Sequence, residues 1–151
     1  MNNHGNRTAY TYEGNQFSSA ETNFKSIAEN KKSLKFVIER YFHPKVICVD
    51  QGGTCARLED TILFLSRNLK REELLMEKTG YPDSNVHVRE HETILSKLEA
   101  LRRTLVCGGY DNELVFDFIN EWVDRHTKVF DKPFEDFLQD RDQGINQTNI
   151  N

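Results

Sequence analysis

The sequence predicts an all-α protein, an antiparallel up-down-up-down four-helix bundle. Two observations carry the prediction. Four long segments hold their apolar residues at alternating spacings of three and four, the signature of one buried helix face. The chain breakers between them are few: Pro44, Pro82, Pro133 and the pairs Gly52-Gly53 and Gly108-Gly109. Helices with one apolar stripe must bury those stripes against one another, and four of roughly 20 to 25 residues do so most economically as a bundle.

The first segment runs from about Ser18, where SSAE offers a capping box with Glu21, to about Phe42 before His43-Pro44. Its seam is Phe24, Ile27, Lys31, Leu34, Ile38 and Tyr41. The second starts near Cys55 and stops at Gly80-Tyr81-Pro82, with Leu58, Ile62, Leu65, Leu69, Glu72 and Met76 in line. Asp83 or Ser84 caps the third, whose seam is His87, His91, Ile94, Leu98, Leu101 and Leu105. The fourth begins after Asp111, carries Val115, Phe118 or Ile119, Trp122 and His126 on one side, and stops near Asp131, with FEDFL as a short helical tail. VICVD, the one β-like run, has no strand to pair with and reads as part of a long loop.

A chain of 151 residues is a single domain by length. Residues 1–16 and 141–151, rich in Asn, Gln and Gly, read as a flexible N-terminal arm and a disordered C-terminal tail around a bundle at 17–140. Net charge is -4 and no basic block occurs, which excludes a nucleic-acid partner. No apolar run approaches the roughly 18 residues of a membrane span, and the polar N-terminus lacks a secretion signal, so the expected location is the cytoplasm. Cys48, Cys55 and Cys107 match no common zinc spacing and read as structural or incidental.

Lys31, Glu72, His87, His91 and His126 stand on seams where leucine is usual. Burying ionisable groups without partners costs several kcal/mol each, so they must satisfy one another or bind something. Imidazoles four apart on a helix point the same way and can grip one ion. A third imidazole from another helix, with the carboxylates of Glu72 and Asp131, makes a mixed nitrogen and oxygen donor set. It suits Fe(II), with Mn(II) or Zn(II) as alternatives. A lone seam histidine is more often a hydrogen-bonded core residue; His87-x3-His91 with His126-x4-Asp131 and Glu72 on the right faces favours the metal.

These residues resemble a known family. KREELLMEKTGYPDSNVHVREH is similar to the second and third helices of the hemerythrins, in particular the bacterial hemerythrin-like domains, and FINEWVDRHTKVFDKPFEDFL to their fourth. The resemblance covers about residues 17–140. It implies a bundle that holds two irons and binds O2 reversibly. By position it makes His87, His91 and His126 the three imidazoles of one iron, and Glu72 and Asp131 the bridging carboxylates. The other iron's two histidines fall at Lys31, in IAENKKSL, and at Asn68. Neither position is histidine, so the resemblance implies an altered site for one metal or none. Lys31 would then supply positive charge near Glu72 and Asp131, with Asn68 as a hydrogen-bond partner. A single iron cannot give the two electrons that reversible O2 binding at a pair draws.

The leading expectation is therefore a hemerythrin-like non-haem iron protein, with one iron or two, in O2 or other diatomic binding, redox sensing or iron storage. Leu69, Ile94, Trp122 and Phe130 would shield the metal from solvent. The alternative is a degenerate metal-free bundle that meets a signalling partner. A one-metal enzyme is disfavoured, because no separate general base, substrate cleft or nucleophile motif is legible.

Overall fold

The computed structural model describes residues 31–32, 34–40, 42, 55–106 and 111–148, with the backbone alone at 111 and 145–148. The expected arm at 1–16, the capping box at Ser18, the β-like run at 46–50, Cys48 and Cys107 lie outside the described residues. Those that are described form an all-α, antiparallel four-helix bundle. Residues 31–32 and 34–40 are helical and form α1. They are followed by α2 (Ala56–Thr79), α3 (Ser84–Thr104), α4 (Asp111–His126), a π-helical turn at Thr127–Asp131, and α5 (Lys132–Thr148). The last three run on without a break and make up the fourth arm of the bundle.

Cross-helix pairs set the antiparallel order. Arg102 on α3 meets Glu59 on α2, Arg125 on α4 meets Glu90 on α3, and Lys35 on α1 meets Asp124 on α4. The α2 to α3 junction is closed by Gly80, whose φ of 67° lets the chain leave the helix. Gly80 N–H then donates to Glu77 O and Tyr81 N–H to Met76 O. That is the bond pair of a Schellman motif, and Tyr81 and Met76 pack in one apolar cluster as the motif favours.

Pro133 marks a difference from the sequence reading. The fourth helix was expected to stop near Asp131, yet it passes through the proline. Proline removes one backbone donor and clashes with the carbonyl four residues back in an α-helix. Here the turn before it is widened, with Lys132 N–H donating to Thr127 O, so the strain of an inserted proline is absorbed. A second difference follows. Residues 141–148, expected in a disordered tail, continue α5. Helix propagation is cheap once a packed turn exists, and Phe134 and Leu138 supply it. The Arg141 guanidinium also donates to Thr79 O at the end of α2.

Among the described residues the seams are buried largely as their spacing requires; Phe24, Ile27 and Tyr41 of the first seam lie outside them. Ile119 takes the core position and Phe118 is only half-buried. Among the described residues the apolar core comes in two parts. A larger cluster includes Ile38, Leu58, Leu65, Leu69, Ile94, Leu98, Ile119 and Trp122; a smaller one joins Met76, Tyr81, Phe134 and Leu138. Along α2 and along the fourth arm the polar seam residues fall between the two, Glu72 between Leu69 and Met76 and His126 and Asp131 between Val123 and Phe134, which places a charged layer inside the bundle. No described helix is long and apolar enough to cross a membrane.

Candidate metal centre

His87 and His91 stand one turn apart on α3, so both rings enter the interior from the same side. Both are essentially fully buried. His126, at the end of α4, meets them: its Nε2 lies 3.1 Å from Nε2 of His87 and 3.1 Å from Nε2 of His91. Three imidazole nitrogens therefore converge on one point. Two nitrogens each about 2.1 Å from one ion and at right angles about it lie about 3.0 Å apart, so the spacing is that of ligands around a metal.

The π turn explains how Asp131 joins. In an α-helix, residues five apart point about 140° away from each other. A turn closed five residues back brings them to the same side. Asp131 Oδ1 thus sits 3.0 Å from His126 Nε2 and 3.3 Å from His87 Nε2. Glu72 comes from α2, 3.6 Å from His91 Nε2 and 3.9 Å from His87 Nε2. Ligand atoms of Glu72, His87, His91 and His126 all lie within 4.8 Å of one another.

Several of these atoms have no hydrogen bond. Glu72 Oε1, Asp131 Oδ1, His87 Nδ1 and His126 Nδ1 are buried without one. Such groups are costly to leave unmet. For the two carboxylate oxygens, a cation at the point where the imidazoles meet is the natural partner, so the donor set fits a divalent metal. The electrostatics agree. Burial raises the Glu72 carboxyl well above its usual range, and the facing Asp131 charge raises it further. Burial also pushes Asp131 up, but the His126 and His87 rings against it outweigh that and hold it well below the usual carboxylate range. Burial lowers His91 to about 4, reinforced by the neighbouring His126 and His87, so its ring is neutral and free to ligate.

The surroundings constrain the rings. Trp122 stacks on His126 with centroids 4.4 Å apart and planes 18° apart, and Phe130 stacks at 5.4 Å and 16°. Trp122 Nε1 in turn donates to Glu90 Oε1 at 3.1 Å. Leu69 and Ile94 are buried in the larger cluster.

Two acidic residues at the centre were missed by sequence reasoning. Glu73 Oε1 lies 3.1 Å from His91 Nδ1, the kind of contact that fixes a ligand's ring orientation. It stands four residues after Leu69 and three before Met76, so the spacing of three and four could have found it, but the seam was drawn through its neighbour Glu72. Glu135 was legible in principle, because it follows Asp131 by one helical turn. Lys31 does enter the site: its Nζ is 3.1 Å from Asp131 Oδ2 and 2.7 Å from Glu135 Oε1. Asn68 departs from expectation. Its amide donates to Phe64 O at 2.8 Å, one turn back on its own helix. A short side chain finds that local carbonyl more readily than a partner across the bundle.

The chain is similar to two hemerythrin-type proteins. It is 27% identical to the myohemerythrin of Sipunculus nudus over 84 residues, 56% of this chain and 65% of that protein. It is 23% identical to the bacteriohemerythrin of Methylococcus capsulatus over 106 residues, 70% of this chain and 81% of that protein. The chain thus spans just under two thirds of the myohemerythrin's length. No family model and no solved structure matches it.

Proposed function

We propose that this chain is a hemerythrin-like, non-haem iron protein of the cytoplasm that holds one iron and serves O2 binding, redox sensing or iron storage without catalytic turnover. The observation that carries the reading is the meeting of three buried imidazole Nε2 atoms 3.1 Å apart, with unmet carboxylate oxygens beside them. His87, His91 and His126 would be the nitrogen ligands, and Glu72 and Asp131 the oxygen ligands. Iron held there supplies a redox-active Lewis acid. Mn(II) and Zn(II) suit the same donors less specifically.

The chain's own residues define the rest. Glu73 holds the His91 ring, the Trp122 and Phe130 faces clamp His126, and the apolar clusters on either side keep bulk water away. One observation favours the second reading, a metal-free interaction bundle: Lys31 already neutralises part of the acidic layer. The unmet oxygens of Glu72 and Asp131 weigh against it.

The test is iron content after anaerobic reconstitution with Fe(II), with His87→Ala alongside. About one iron per chain, lost in the variant, is expected. No iron, manganese or zinc in the wild type would leave the interaction bundle as the better account.

A further inference from the structure

We infer that Lys31 is a built-in cation that limits the centre to one divalent ion, its ammonium being clamped by Asp131 and Glu135 where a second ion would otherwise bind. The inference rests on the metal reading above and goes beyond it by naming what sets the count.

Lys31 reaches the centre from α1, and only 19% of its side chain is exposed. Asp131 and Glu135 stand four apart, so both carboxylates face the incoming ammonium; Glu135 accepts a hydrogen bond from it and Asp131 pairs with its charge. Glu72, from α2, shares a neighbour with Asp131: its Oε1 is 3.9 Å from His87 Nε2, and Asp131 Oδ1 is 3.3 Å from the same atom. Two carboxylates of the fourth arm thus hold one ammonium from α1, and a third carboxylate, from α2, lies beside them at the imidazoles. Asp131 links this group to the imidazoles. Its Oδ2 meets Lys31, while Oδ1 turns toward His126 and His87, and that oxygen has no hydrogen bond although the side chain is only 3% exposed.

Charge then decides capacity. Glu72, Asp131 and Glu135 carry three negative charges when ionised and Lys31 one positive, so a single divalent ion brings the group to neutrality. A second divalent ion would leave a net positive charge in a site that water reaches poorly, where uncompensated charge is expensive. Glu73 does not alter this balance, because Lys70 pairs with it at 3.2 Å. Without the ammonium, one divalent ion leaves the three carboxylates one charge short and two leave them one charge over, so the penalty on a second ion falls and the place that Lys31 fills between Asp131 and Glu135 is open to it. Oxygen donors of this kind suit a hard divalent cation.

The test is equilibrium dialysis against excess Fe(II) under anaerobic conditions, reading iron per folded chain, with helicity checked by circular dichroism. Wild type and Lys31→Arg, which keeps the charge, are expected to hold one iron. Lys31→Met removes the charge at similar length and is expected to hold two. Lys31→Gln also removes it but keeps a hydrogen-bond donor on a shorter side chain, and carries the same expectation should the methionine variant fold poorly. Two irons in the wild type, or one in the wild type and one in the folded neutral variants, would overturn the role of Lys31 while leaving the metal reading intact. No iron in any of the four proteins would overturn the metal reading itself.

Discussion

Replacing Glu72 by glutamine is expected to make the stability of the metal-stripped protein more steeply dependent on pH between 6.5 and 4.5 than that of the wild type. Two buried groups oppose each other in that window. His91 has its pKa lowered from 6.5 to about 4, so the unfolded chain takes up a proton that the folded chain refuses. That contribution is fully present above pH 6.5 and is lost as pH falls toward 4. Glu72 has its pKa raised above 4.5, so the folded chain keeps a proton that the unfolded chain releases. Its contribution is present below 4.5 and is lost as pH rises. Asp131 is held low and stays ionised throughout the window, so it adds no slope. With both groups in place the two proton differences have opposite sign and the slope is reduced. In Glu72→Gln the histidine acts alone, and stability falls by about 2 kcal/mol from pH 6.5 to 4.5. At an m-value of about 2 kcal/mol per molar urea, the midpoint moves by about 1 M. Urea unfolding of EDTA-treated protein across this range reads the effect directly. Parallel curves for wild type and variant would refute the opposition of these two groups.

Other outcomes follow from the same structure. The chain has one tryptophan, stacked at 4.4 Å on His126, so Fe(II) titration is expected to quench its fluorescence in step with iron uptake. Unchanged emission in protein shown to contain iron would place the ion away from His126. Phe134 is fully buried between Tyr81 and His87, with ring centroids at 4.8 Å and 6.4 Å. Phe134→Ala should cost about 3 to 5 kcal/mol in urea unfolding, and a loss under 1 would mean that the smaller cluster is not tightly packed. Gly80→Ala meets no atom within 4 Å, so only the left-handed backbone resists it. A loss of about 1 kcal/mol is expected, and none would show that the Schellman turn tolerates a side chain at no cost.

What the sequence by itself determined is what a helix repeats at short range. Spacings of three and four placed Leu58, Leu65, Leu69 and Met76 on one buried face, and His87 and His91 on another, because 3.6 residues per turn fixes which side chains share a side. The breakers at Gly80-Tyr81-Pro82 located the second junction for equally local reasons, since only glycine enters the left-handed region freely. Tertiary structure decided whatever depended on register between helices or on departure from the ideal helix. The widened turn at Thr127–Asp131 is one such departure; it carries the helix past Pro133 and swings Asp131 onto the side of His126. Glu73 is another case, since Glu72 and Glu73 stand three and four residues after Leu69 and only the packed helices decide that Glu73 meets His91 Nδ1 while Glu72 faces the Nε2 atoms. Asn68 and Lys31 occupied comparable places in the pattern yet went different ways. The short amide was taken by its own backbone, while the long ammonium was drawn across the bundle to Asp131 and Glu135 by charge that only the packed helices bring together.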